Sequence, residues 1–79
     1  MINENSAEAL VYESLRSMCG SHEYKTSTSF VGDLGFDSLD MIKYCLELEQ
    51  RADCYFNDAE ISTFATVGDV IEAVKRKIR

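Results

Sequence analysis

The chain has 79 residues, enough for one domain close to the lower size limit at which a hydrophobic core supports itself. It has no proline, only four glycines and a net charge of −6, so little of it is forced out of helix, and its surface repels nucleic acid. No apolar run approaches the roughly 20 residues of a membrane span. We therefore expect one all-α domain over residues 1–79, monomeric, without a nucleic-acid partner and without a membrane span.

The cysteines and the N-terminal residues indicate the compartment. Cys19, Cys45 and Cys54 are an odd number without CxxC spacing, whereas a disulfide framework or a zinc site needs pairs or clusters. We expect free thiols in a reducing environment. Residues 1–10 lack the basic and apolar blocks of a signal peptide. These features predict a cytoplasmic protein.

The first helix is predicted over residues 5–19, with Gly20 as its C-cap. Small and apolar residues recur there at steps of three and four: Ala7, Leu10, Val11, Leu15, Met18 and Cys19. Residues 21–35 are polar, β-branched and punctuated by glycine, which indicates a long loop. The expected anchors of this loop to the core are Phe30, Val31 and Leu34.

The second helix is predicted from Ser38 to about Arg51. Its inward-facing residues are expected to be Leu39, Ile42, Cys45, Leu46 and Leu48. Its wetter surface is expected to carry Asp40, Lys43, Glu47 and Gln50.

A turn at residues 57–58 and one short helical turn over 59–62 come next. Thr66 then opens the last helix as an N-cap, with Asp69 in an approximate capping box. The apolar stripe of that helix is Val67, Val70, Ile71, Val74 and Ile78. The pattern predicts a small four-helix bundle: three principal helices, a short third helix, and a long loop between helices 1 and 2. Its interior is expected to be lined by Leu10, Leu15, Phe30, Leu39, Ile42, Leu46, Val70, Ile71 and Val74.

Ser38 is the candidate functional residue, and catalysis by it is not expected. A nucleophilic serine needs an adjacent base held by a third group, and the only histidine, His22, lies in the polar loop. The surrounding residues GFDSLD are not the GxSxG nucleophile elbow. The spacing of Asp33, Asp37 and Asp40 does not fit a calcium-binding loop either. We predict neither an enzyme nor a metal site.

Two interpretations of Ser38 remain open from the residues alone. Serine between a turn and a helix is ordinarily an N-cap. However, Asp37 and Asp40 could each serve the first turn, which would leave Ser38 available for another use. A phosphate on Ser38 Oγ would then lie at the positive end of the helix dipole.

Residues 33–49, DLGFDSLDMIKYCLELE, resemble the acyl carrier protein family, whose signature is Asp-Leu-Gly-x-Asp-Ser-Leu-(Asp/Glu) leading into the second helix. The likeness extends over nearly the whole chain. It implies that Ser38 is esterified with 4′-phosphopantetheine, taken from coenzyme A by a phosphopantetheinyl transferase that also recognises Asp37. The thiol of that group would carry acyl groups as thioesters.

The resemblance also implies docking of the second helix onto basic patches of acyl-transferring and condensing enzymes. Residues 33–60 hold eight acidic and two basic residues, which would attract such patches. The expected docking surface comprises Asp37, Leu39, Asp40, Met41 and Glu47.

Fatty-acid biosynthesis is the pathway expected for such a carrier. Lys43 and Tyr44 depart from the acidic and aliphatic residues usual in the family, so a specialised polyketide or other secondary-metabolite pathway is the alternative. A third interpretation, of a different class, is a non-carrier interaction module that uses Ser38 as an N-cap only.

Overall fold

The computed structural model of the chain describes residues 4–20 and 23–77, so His22 and Ile78 lie outside the described residues. Its four helices are α1 (Glu4–Cys19), α2 (Ser38–Ala52), α3 (Asp58–Ser62) and α4 (Val67–Lys77). Helix α1 packs against both α2 and α4, and α2 also contacts α3. The predicted all-α bundle with a short third helix and a long first connection is confirmed.

Local capping sets the helix ends. Gly20 ends α1 in the left-handed region, at φ 93°. Asn57 caps α3 in a reciprocal box with Glu60. At the start of α4, the Asp69 carboxylate accepts the Thr66 N–H at 3.0 Å, and Thr66 Oγ1 accepts the Asp69 N–H at 3.3 Å. Each predicted cap of α1 and α4 is therefore confirmed.

The loop between α1 and α2 is tied to the start of α4. The N–H groups of Val67 and Gly68 donate to carbonyl oxygens of Thr28 and Thr26, each at 2.9 Å. These bonds satisfy donors that the first turn of a helix leaves without intrahelical partners. A Cβ on Gly68 would lie 3.0 Å from the Thr26 carbonyl oxygen, so a larger residue there would need the loop backbone to shift by a few tenths of an ångström.

An aromatic cluster of three rings occupies the core beneath the N-terminal half of α2. The ring centroids of Phe30 and Phe36 are 5.5 Å apart, those of Phe30 and Tyr44 are 5.6 Å apart, and those of Phe36 and Tyr44 are 6.2 Å apart. The Tyr44 hydroxyl oxygen lies 2.9 Å from Ser14 Oγ and 3.4 Å from the Val11 carbonyl oxygen. Ser14 Oγ is itself 2.7 Å from that carbonyl. A buried polar contact thus joins α1 to α2 inside the core.

The predicted interior is right for α1, the loop and α4, with one exception in the loop. Leu15, Phe30, Val70, Ile71 and Val74 are buried as expected, and Leu10 is partly buried. Leu34 packs against the core, but Val31 points outward and is 71% exposed.

The predicted orientation of α2 is partly wrong. Leu39, Ile42 and Leu46 are 59%, 46% and 55% exposed, although they were expected inside. The buried residues of α2 are Met41, Tyr44, Cys45, Leu48 and Ala52. Both the exposed and the buried residues recur at helical spacing, so either set could have faced the core. The polar partners of the Tyr44 hydroxyl lie on α1, and the set that contains Tyr44 therefore faces inward.

The three cysteines are free thiols, with Cys45 buried and Cys19 and Cys54 half-buried. Burial raises the pKa of Cys45 to about 12. Across residues 4–20 and 23–77, no group of acidic, histidine and cysteine side chains could hold a metal ion. Within the same ranges, none of the helices combines the length and apolarity needed to cross a membrane.

Candidate functional site

Ser38 is the first residue of α2, and Asp37 occupies the N-cap position before it. The Asp37 carboxylate accepts the Asp40 N–H at 2.8 Å, and the Asp40 carboxylate accepts the Asp37 N–H at 3.1 Å. This reciprocal box performs the capping that a serine could have supplied. The interpretation of Ser38 as an N-cap is therefore wrong, because Asp37 already has that role.

The segment before Ser38 is held in place by contacts that explain its residue types. The Asp33 carboxylate accepts the Ser29 N–H at 2.7 Å and so closes the turn over residues 29–33. Gly35 adopts φ 72°, a conformation that side-chain-bearing residues rarely take. Phe36 is buried, and its N–H donates to the Phe30 carbonyl at 2.8 Å. The chain thus reaches Ser38 along a fixed path.

The Ser38 side chain is exposed, and its hydroxyl makes no hydrogen bond to any described residue. It lies at the N-terminus of a 15-residue helix, where backbone N–H groups and the helix dipole favour an anion. No lysine or described histidine is bonded to it, so nothing in the described residues activates the hydroxyl as a nucleophile. The position therefore suits a negatively charged group such as a phosphate.

The exposed face of α2 carries an apolar stripe beside a row of charges. The stripe is formed by Leu39, Ile42 and Leu46, which follow one another at steps of three and four. The adjacent row is Asp40, Lys43, Glu47 and Arg51, in which negative and positive charges alternate. Arg51 and Glu47 form an ion pair at 3.1 Å.

Met41 does not belong to this face, contrary to the sequence prediction. Its side chain is only 8% exposed and packs in the core. Helical geometry explains the correction, because Met41 precedes Tyr44 and Cys45 by three and four residues and shares their buried side. The sequence predicts Ile42 and Leu46 in the core, whereas both lie with Leu39 on the exposed face of α2, beside the charged row.

Comparisons with known proteins agree with this geometry. A family model described as a phosphopantetheine attachment site matches residues 9–74. Acyl carrier proteins from Clostridium acetobutylicum, Sulfurovum sp. and Wolinella succinogenes are each 40% identical to the chain over 53 residues. The matches cover 67% of this chain and 69%, 71% and 70% of those relatives, respectively. The chain belongs to the acyl carrier protein family.

The fold comparison leads to the same family. A protein from Mycobacterium tuberculosis assigned as an acyl carrier protein superposes with a TM-score of 0.69 and 31% sequence identity. The superposition covers 90% of this chain and 92% of the other. This acyl carrier protein is thus a carrier and not a catalyst, and it bears a covalently attached phosphopantetheine.

Proposed function

We propose that Ser38 bears the 4′-phosphopantetheine group of this acyl carrier protein. The supporting observation is that Ser38 is exposed at the first position of α2 while Asp37 and Asp40 do the capping. Its hydroxyl can therefore be esterified without loss of a hydrogen bond within the described chain. Asp37, fixed by the same box, is the flanking residue that the transferase recognises.

The chain's own contribution to loading is a positioned hydroxyl. Ser38 Oγ forms a bond to the phosphorus next to the pantetheine portion of coenzyme A, and adenosine 3′,5′-bisphosphate leaves. The phosphopantetheinyl transferase accepts the hydroxyl proton, because no base of the carrier is bonded to that hydroxyl. When bound, the group supplies the thiol on which acyl groups are held as thioesters.

The pathway we propose first is fatty-acid biosynthesis, the one that the sequence predicts. A second candidate is a specialised polyketide or other secondary-metabolite pathway. Two observations favour it: Lys43 stands between the acidic residues Asp40 and Glu47 on α2, and Tyr44 is a fully buried aromatic residue in the core. These two pathways place different demands on the cargo and on the docking face.

The partners we propose are enzymes with basic residues around an apolar depression. They would meet the exposed face of α2 through Leu39, Asp40 and Glu47, with Asp37 at its N-terminal edge. Ile42 and Leu46 are added to this surface because they are exposed, and Met41 is excluded from it because it is buried. Exposed ion pairs contribute only about 0.2–1 kcal/mol each, which suits a carrier that must exchange partners rapidly.

The test of the attachment site is a mass measurement. Apo-protein incubated with coenzyme A, Mg²⁺ and a broad-specificity phosphopantetheinyl transferase should gain the mass of one phosphopantetheine. Ser38→Ala should gain nothing, whereas Ser17→Ala, which changes an exposed serine on α1, should load like the wild type. Loading of Ser38→Ala, or no loading of the wild type with several transferases, would refute the proposal.

The same variant separates a carrier from an interaction module. In cells that depend on this protein, a folded Ser38→Ala variant should fail to restore growth or product formation. Full complementation by that variant would instead favour a module that needs only the acidic face of the bundle.

A further inference from the structure

We propose that the buried Tyr44 ring keeps long acyl chains out of the bundle interior, so that the cargo is short or bulky and stays outside. This inference deepens the proposed function and rests on it. It assigns Tyr44 as a specificity-determining residue of the carrier, distinct from the attachment site and from the docking face.

The first step of the argument is position. Phe36 is two residues before Ser38, and Tyr44 is six residues after it, between one and two helical turns further along α2. Together with Phe30, their rings form one cluster in the core, and the chain positions of Phe36 and Tyr44 lie on either side of the attachment point. Phe30 and Tyr44 are fully buried, and Phe36 is 9% exposed. An alkyl chain that entered the bundle beside the first turns of α2 would have to displace this aromatic cluster.

The second step is that Tyr44 cannot turn aside without a loss. Its hydroxyl oxygen lies 2.9 Å from Ser14 Oγ, and both side chains have no exposed surface. Moving the ring would separate two buried hydroxyl groups, and a buried polar group without a partner is costly. An aliphatic or phenylalanine side chain at this position would carry no such penalty. Ser14 therefore holds the ring of Tyr44 in the path of the chain.

The third step concerns the other side of α2. Met41 on α2 and Phe56, which lies just before α3, both belong to the core and are 8% and 2% exposed. Phe56 packs edge-to-face on Phe64 with ring centroids 5.5 Å apart, and Lys77 Nζ lies 5.5 Å from the centroid of the Phe56 ring. The core next to α3 is therefore packed with side chains as well.

The experiment compares the protein loaded with acyl chains of three different lengths. Apo-protein is loaded from acetyl-, octanoyl- and dodecanoyl-coenzyme A, and each acyl form is checked by mass. For the wild type, the melting temperatures should agree within about 1 °C, well below the shift of several degrees that burial of a chain produces in a domain of this size. The thioester should react with hydroxylamine at the same rate at all three lengths.

The variant Tyr44→Leu should change both measurements. Its dodecanoyl form should melt about 4 °C or more above its acetyl form, and hydroxylamine should cleave the dodecanoyl thioester more slowly. Tyr44→Phe separates ring volume from the contact with Ser14, because it keeps the first and loses the second. Its dodecanoyl form should melt above its acetyl form by less than in Tyr44→Leu.

Three outcomes would overturn the inference. They are a rise of wild-type melting temperature with chain length, a Tyr44→Leu variant that behaves like the wild type, or a Tyr44→Phe variant that behaves like Tyr44→Leu. If Tyr44→Leu does not fold, the melting temperatures of the wild-type acyl forms test the inference on their own. Failure to load any acyl form would instead count against attachment at Ser38, so the two proposals fail in distinguishable ways.

Discussion

At the scale of single residues, the start of α2 separates two tasks that one serine could have combined. Asp37 and Asp40 satisfy each other's backbone N–H groups, whereas Ser38, between them, bonds to no described residue. Capping side chains and reactive hydroxyls compete for the same oxygen lone pairs. The division of roles therefore leaves Ser38 chemically available without weakening the helix.

This division predicts that two neighbouring substitutions differ in their effect on stability. Asp37→Ala should reduce the free energy of unfolding by about 0.5–2 kcal/mol, since it removes the N-cap. Ser38→Ala should change it by less than about 0.5 kcal/mol, since the residue is exposed and makes no bond. Urea denaturation of the apo-proteins measures both. Equal losses for the two variants would mean that Ser38 shares the capping.

The same residues show which features can be predicted from the sequence and which cannot. The flanking acids and the turn before Ser38 were readable as local signals, since capping and turn preferences depend on near neighbours. The burial of Tyr44 could not be predicted from the sequence. Its hydroxyl requires a polar partner inside the core, and that partner, Ser14, is 30 residues away in the chain. No local pattern reveals such a pair.

At the scale of elements, α2 illustrates why the ends of a helix are easier to predict than the face that it buries. Its start and its extent follow from a cap and an unbroken helical run. Its sequence, however, offers two apolar stripes, one through Leu39, Ile42 and Leu46 and one through Met41, Tyr44 and Leu48. By hydrophobicity the first is as suitable for the core as the second. Contacts with α1 decide between them, and these exist only in the folded bundle.

Helix α3 depends on its neighbours for stability. It has five residues and no buried side chain, and so short a helix is not stable alone. The Glu60 carboxylate accepts a hydrogen bond from Lys77 of α4, and the two side chains form an ion pair at 3.0 Å. Lys77 also covers the Phe56 ring. One lysine thus connects the end of α4 to the segment around α3.

This contact predicts a loss of stability in acid. The hydrogen bond from Lys77, and then the backbone bond from Asn57, lower the pKa of Glu60 from its usual 4.5. A lowered pKa contributes stability above that usual value, and the contribution disappears as the pH falls through the lowered pKa. Melting temperatures between about pH 6 and pH 3 should therefore fall less steeply for Glu60→Gln and for Lys77→Gln than for the wild type. Parallel curves for all three proteins would contradict this account.

At the scale of the whole molecule, the charge is divided between the middle of the chain and its C-terminal end. Residues 33–60 are strongly acidic, whereas the last turn of α4 carries Lys75, Arg76 and Lys77. Long-range attraction of basic partners is thereby directed toward α2 and the attachment site. Lys43 and Arg51 interrupt the acidic surface within α2, and Arg51 already engages Glu47.

Charge substitutions on α2 should consequently alter partner use without unfolding the bundle. Glu47→Lys should slow acyl transfer by partner enzymes, and Lys43→Glu should speed transfer by enzymes built for a continuous acidic face. Asp40→Lys is a poorer probe, because it would also break the capping box. Each effect should shrink as salt is raised from low to moderate concentration. If neither substitution changes the transfer rate at either salt level, α2 is not the docking face.

The bonds between the first loop and the start of α4 bear on the order in which the protein folds. Thr26 and Thr28 lie about half the chain away from Gly68 and Val67, so their backbone bonds form only after a long segment has been closed. Such distant pairings cost chain entropy before they return any stability. Helices α1 and α2 pair over a shorter separation and can assemble first. We expect the loop and the first turn of α4 to become native in the same event, and each to unfold when the other is released.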